Sequence, residues 1–180
     1  MDEFVFHTID GVDVFGRRWM PSGDPRRVVV IVHGASEHSG RYARVAGVLR
    51  GQGYAVYALD LRGHGHTAES TGRGRIGSSG MAGVLADVDA LVRRARAEVG
   101  DVPIVLFGHS MGSVVVQAFM VRDPDDVSAY VLSGTMGPAG GTEEFVTGMR
   151  AAVEAGMADE PLDALAAYNA SDEPTRTSYD

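Results

Sequence analysis

The chain is built of short apolar runs separated by polar and glycine-rich punctuation, and the period of the apolar positions changes along its length. Glu3-Phe4-Val5-Phe6-His7 and Val12-Asp13-Val14-Phe15-Gly16-Arg17 alternate apolar with other residues on either side of Asp10-Gly11. A period of two predicts strands with opposite-facing side chains, and Asp-Gly between two such runs predicts a hairpin. Residues 21–26 read as a polar loop. Val28-Val29-Val30-Ile31-Val32 is instead an unbroken β-branched run, the pattern of a parallel strand buried on both faces. After a loop of small and polar residues at 33–40, Tyr42, Val45, Ala46 and Leu49 recur at helical spacing until Gly51 and Gly53.

Tyr54–Leu59 predicts the next strand, followed by a polar, glycine-rich loop reaching Gly80. Met81, Val84, Leu85, Val88, Leu91, Val92, Ala95 and Val99 then form one apolar helical stripe, with Asp89 and Arg93 four apart and able to pair on the other face; Gly100 closes the helix. Pro103 opens an apolar run, Ile104 to Phe107, that stops at Gly108-His109-Ser110-Met111-Gly112. Met111, Val114, Val115, Ala118 and Phe119 follow at helical spacing, to about Arg122. This pattern predicts a strand, a sharp turn and a helix, with Ser110 at the tip of the turn and Gly108 and Gly112 letting strand and helix approach closely. A serine held clear of a sheet in this way is a candidate nucleophile. A turn at Asp123-Pro124-Asp125-Asp126 and a strand at Ala129–Ser133 come next. Gly137-Pro138-Ala139-Gly140-Gly141 reads as a loop, 143–157 and 161–168 as helical, and 169–180 as aperiodic. Strands alternating with helices predict a mostly parallel sheet covered by helices on both faces, with an antiparallel N-terminal hairpin.

Composition narrows the function classes. With 180 residues, one substantial core is the default. The absence of cysteine excludes a disulfide framework, a thiolate nucleophile and a cysteine-based zinc site, and fits a reducing compartment. The opening Met1-Asp2-Glu3-Phe4 lacks the pattern of a signal peptide, and no apolar stretch reaches membrane-spanning length. The expectation is a soluble, cytoplasmic protein. All sixteen basic residues are arginine and they are scattered, which argues against nucleic acid as a partner. Through Arg122 the chain carries 14 Arg and 12 acids; after it, 2 Arg face 12 acids, so the net charge of −8 belongs to the last third, read as a solvated helical surface. His64 and His66 lack the partner cluster of a metal site, and the reading requires neither metal nor cofactor.

Three motifs, in order, carry a resemblance: His33-Gly34-Ala35-Ser36-Glu37-His38-Ser39-Gly40-Arg41-Tyr42, Asp60-Leu61-Arg62-Gly63-His64-Gly65 and Gly108-His109-Ser110-Met111-Gly112. Together they resemble the monoacylglycerol lipase and lysophospholipase branch of the α/β-hydrolases, a serine aminopeptidase S33-type group. The likeness covers about residues 10–135, and 168–180 is similar to the start of the cap in bacterial members. The resemblance implies an α/β-hydrolase core over 1–135 and the start of a helical cap or lid over 136–180. It implies that Ser110 attacks an ester carbonyl while the backbone N–H groups of Ala35 and Met111 form the oxyanion hole, with Gly108, His109 and Gly112 completing the nucleophile elbow. His33 and His109, beside these turns, are read as packing or hydrogen-bonding residues.

One departure stands out. The triad of this fold runs Ser, then Asp or Glu, then His, and no histidine follows His109. The resemblance therefore implies an N-terminal portion whose later strands, acid and base are missing, and a serine that is weak by itself. It also implies an open edge at the strand around Val131, hence self-association, and a small ester or lipid as substrate, with peripheral membrane contact through the cap. Two rivals stay open: a catalytically inactive fragment or binding module of the same fold, and a haloperoxidase-like or carbon–carbon bond hydrolase.

Overall fold

The N-terminal alternation folds as an antiparallel hairpin of β1 (Asp2–His7) and β2 (Asp13–Trp19), with Val5 opposite Phe15. The computed structural model describes residues 1–122, 127–135 and 142–156 of the chain. Thr8 ties the turn, its hydroxyl accepting from Val12 N at 2.9 Å and donating to Asp10 at 2.6 Å, while Gly11 takes φ +82°. β2 also pairs antiparallel with β4 (Tyr54–Leu59). Beyond it every ladder is parallel: β4 with β3 (Arg27–Val32), β3 with β5 (Ile104–His109), and β5 with β6 (Ala129–Ser133). The order across the sheet is β1-β2-β4-β3-β5-β6. It is the mixed α/β sheet that the pattern predicts.

The unbroken run in β3 serves two cores at once. Val28, Val30 and Val32 face Val88 and Leu91 of α3 (Gly80–Val99) and Val115 and Phe119 of α4 (Met111–Arg122). Val29 and Ile31 face Tyr42 and Ala46, where a short 3-10 turn (Ser39–Tyr42) leads into α1 (Ala43–Gly51). Alternation is invisible in such a strand because the pleat sends neighbours to opposite, equally apolar faces.

The helical stripes need correction at their edges. Val45 and Met81 are roughly half exposed, and in α4 the buried face includes Gly112, Val115, Val116 and Phe119 while Val114 points outward. Gly112, seated against the end of β3, lies on one helical face with Val115, Val116 and Phe119 at i, i+3, i+4 and i+7, and Val114 falls outside that face. The glycine-rich loop before α3 also contains structure: a 3-10 turn (Gly65–Thr67) and a single helical turn, α2 (Ala68–Thr71). Arg93 pairs with Asp89 at 2.5 Å, and Gly100 ends α3 with φ +90°.

The chain divides after Thr135 into two units, and α5 (Thr142–Glu154) belongs to the second. The predicted turn at 123–126, the loop at 137–141, the helix at 161–168 and the stretch 169–180, with its likeness to a cap, lie outside the described residues. Among the described residues no helix is long and apolar enough to cross a membrane.

Candidate active site

Ser110 is the single residue between the end of β5 and the start of α4, and its φ is +49°. A non-glycine residue in the left-handed region costs about 1 kcal/mol and persists only where its surroundings enforce it. Here they do: Ser110 N donates to Ser133 O at 2.8 Å, while Ser113 N and Ser113 Oγ donate to Ser110 O at 2.9 and 2.6 Å. The two flanking glycines explain how strand and helix meet so sharply. A Cβ on Gly108 would stand 2.5 Å from Gly112 O and 2.7 Å from Ser113 Cα. One on Gly112 would collide with the carbonyl oxygens of Val32 and His33 at the end of β3. The Ser110 side chain is left exposed at the rim of the sheet. Met111 is the first residue of α4, where an α-helix leaves its N–H groups without intrahelical acceptors and carries partial positive charge.

The loop after β3 runs beside this turn. A Cβ on Gly34 would lie 3.1 Å from Ser110 Cβ and 3.3 Å from His109 O, so the two backbones touch here. His33 is fully buried; its Nδ1 donates to Gly34 O at 2.7 Å and its Nε2 accepts from Leu61 N at 2.9 Å. Burial pushes its pKa down to about 4, with the neighbouring His64 ring acting in the same direction and the Gly34 carbonyl opposing. The ring is thus a neutral bridge between the loops after β3 and β4. Ala35 is exposed, Ser36 takes φ +58°, and Glu37 is buried. His109 Nδ1 lies 3.3 Å from Ser133 Oγ, part of the brace between β5 and β6.

The sequence reading passes over the residues that hold these loops. Asp60 is fully buried; one carboxylate oxygen accepts from Ser39 N at 2.8 Å and Ser39 Oγ at 2.5 Å, the other from His66 N at 2.9 Å, and Arg17 lies 3.5 Å away. Arg62, also buried, donates to both oxygens of Asp87 at 2.7 and 2.9 Å and to both of Asp10 at 2.6 and 2.9 Å. Arg62 holds Asp10 far below the usual carboxylate range, whereas burial raises Asp87 against the pull of Arg62. The only signal for these roles was their place in the second motif. The other loop histidines are engaged locally: His64 Nδ1 with Arg62 O at 3.0 Å, His66 Nδ1 with Glu69 at 3.0 Å, and His38 Nδ1 with Gly40 N at 3.2 Å.

The profile of the family described as serine aminopeptidase, S33, matches residues 23–157. Over 132 residues the chain is 40% identical to a monoacylglycerol lipase of Mycolicibacterium smegmatis, covering 73% of this chain and 46% of that protein. It is 38% identical over 123 residues to the monoglyceride lipase of Mus musculus, covering 68% of this chain and 39% of the other. A thermostable carboxyl esterase from Bacillus coagulans, solved in complex with glycerol, superposes with a TM-score of 0.83 at 28% identity, covering 91% of this chain and 54% of the esterase. The chain spans less than half the length of the two lipases. With the sheet order, the serine-bearing turn and these likenesses together, the chain belongs to the serine aminopeptidase S33 family of α/β-hydrolases, in its monoacylglycerol lipase-like group.

Proposed function

We propose that this chain carries the nucleophile half of a serine hydrolase acting on carboxylic esters of the monoacylglycerol or lysophospholipid type. One observation carries the reading: Ser110, exposed at φ +49° between Gly108 and Gly112, stands against the Gly34–Ala35 loop. In this reading Ser110 Oγ attacks the ester carbonyl, the alcohol leaves from the tetrahedral intermediate, and water releases the acid from the acyl-enzyme. The N–H groups of Ala35 and Met111 stabilise the developing oxyanion, the second aided by the N-terminus of α4. Gly108, His109 and Gly112 shape the elbow. The base that takes the Ser110 proton and the acid that orients it come from outside these 180 residues, and 136–180 begins the cap that selects the acyl chain. The lipase names of the relatives support the substrate class.

The second reading, an inert fragment or binding module of the same fold, is favoured by one fact: no histidine follows His109. Intact-mass labelling with a fluorophosphonate, beside Ser110→Ala, separates the two. Label on the parent chain that disappears in the variant means that a base reaches Ser110, from His64 or His66 or from a second molecule, and carries the enzyme reading; a folded chain that takes no label is inert by itself, as the second reading has it. Hydrolysis of a monoacylglycerol set against a lysophospholipid then ranks the substrates.

A further inference from the structure

The buried carboxylate of Glu37 has no role in the chemistry described so far, yet it occupies a costly place. Its side chain is buried, and burying a charge is unfavourable unless its bonds are well made. One oxygen, Oε1, accepts from Gly34 N at 2.5 Å and from Tyr42 Oη at 2.7 Å; the other lies 3.2 Å from Arg41 Nη1. Between Gly34 and Glu37 the chain passes through Ser36 in the left-handed region, a second local cost in the same turn. Two unfavourable features in one short loop call for a reason beyond closing it.

Gly34 sits between Glu37 and Ser110. A Cβ there would stand 2.9 Å from Glu37 Oε1 on one side and 3.1 Å from Ser110 Cβ on the other. Its carbonyl is held by His33 Nδ1 at 2.7 Å, and its N–H by Glu37. The Gly34–Ala35 peptide is trans, so in this planar unit the Ala35 N–H points opposite to the Gly34 carbonyl, away from the buried His33 ring. Tyr42 extends the clamp, its ring lying edge-on to Phe107 of β5 at 6.2 Å, in the strand that leads into Ser110. Glu37 thereby links the loop and the serine-bearing strand.

The geometry points to Glu37 as a positioning residue that fixes the Gly34–Ala35 peptide so that the Ala35 N–H is held ready for an oxyanion on Ser110. This rests on the proposed oxyanion role of Ala35. A carboxylate suits the task better than a neutral acceptor because its bonds to N–H and O–H donors are shorter and stronger.

The test uses the full chain and four variants: Glu37→Ala, Glu37→Gln, Leu91→Ala as a core-destabilised control away from the loop, and Ser110→Ala. Fluorophosphonate labelling is followed against reagent concentration to separate the limiting rate from half-saturation, and the Ala35 amide is followed in 1H–15N spectra. Glu37→Ala is expected to lower the limiting rate about 10- to 100-fold with half-saturation unchanged, the scale of a misplaced or lost oxyanion donor. Glu37→Gln, which keeps an acceptor for Gly34 N, recovers most of that loss, and Leu91→Ala keeps the parent rate. The Ala35 amide shifts in Glu37→Ala and not in Leu91→Ala. A Glu37→Ala chain that labels at the parent limiting rate, or a Leu91→Ala chain slowed as much, overturns the proposal. A parent chain that takes no label, like Ser110→Ala, means that no base reaches Ser110 in these 180 residues, an outcome that bears on the proposed function and not on Glu37. The Ala35 amide then decides for Glu37: a resonance unmoved by Glu37→Ala overturns its role.

Discussion

At the scale of single residues, this site is organised by groups whose own conformations are unfavourable. Ser110 and Ser36 both sit at positive φ, and His33 is buried with one nitrogen donating and the other accepting. The histidine makes a pH prediction with a definite sign. Its folded pKa, pushed down to about 4 chiefly by burial, lies below the ordinary value of 6.5. Between those values the unfolded chain binds the proton and the folded chain does not, so stability is complete above about pH 6.5 and falls as pH drops toward 4. The groups facing the ring divide, since His64 disfavours the proton while Asp60 and Glu37 favour it. The loss over that window is on the order of 3 kcal/mol. Urea unfolding from pH 7.5 to 4.5 measures it, with His33→Gln as a non-titrating control; a parent slope no steeper than the control's refutes it. Asp10 and Glu98, both held below the usual carboxylate range, add their own loss only at still lower pH.

At the scale of elements, packing decides which part of each apolar stripe contributes. Leu91 is fully buried between α3 and the sheet, whereas Met81, which opens the same stripe in the first turn of α3, is 46% exposed. Leu91→Ala is expected to cost about 2–5 kcal/mol from lost burial and the cavity left behind. Met81→Ala should stay within about 0.5 kcal/mol. Equal costs in chemical denaturation would mean that the N-terminal turn of α3 is packed after all. The same comparison explains α4, where the seating of Gly112 on β3, rather than the spacing of valines, chooses the buried side.

At the scale of the whole molecule, the sheet ends unevenly. β1 is a short strand with charged neighbours: Glu3 pairs with Arg17, and Asp2 with Arg18, across the hairpin. β6 pairs with β5 on one side, and among the described residues no strand pairs with its other edge. Val131 is 44% and Leu132 37% exposed there, with Val121 of α4 more open still. Unpaired N–H and C=O groups beside apolar side chains favour pairing with another chain. The expectation is concentration-dependent self-association in sizing experiments, reduced in Val131→Lys; a monodisperse monomer at all concentrations would count against it.

The strands in order, the helices α1, α3 and α4, the two-sided burial of β3 and the serine-bearing turn were legible in the residues alone, whereas the 3-10 turn at Gly65–Thr67 and α2 were not. The legible features depend on period, β-branching and glycine spacing, which act over a few residues. The Gly108, Ser110 and Gly112 arrangement was legible because only glycine fits where strand, turn and helix touch. The tertiary structure alone decided that Glu37 reaches back to Gly34, that Asp60 ties Ser39 to His66, and that Arg62 joins Asp10 to Asp87. Arg62 lies 52 positions from Asp10 and 25 from Asp87, separations at which local pattern carries no signal. Buried charges are stable only when such distant partners meet, and which partners meet is a property of the folded backbone.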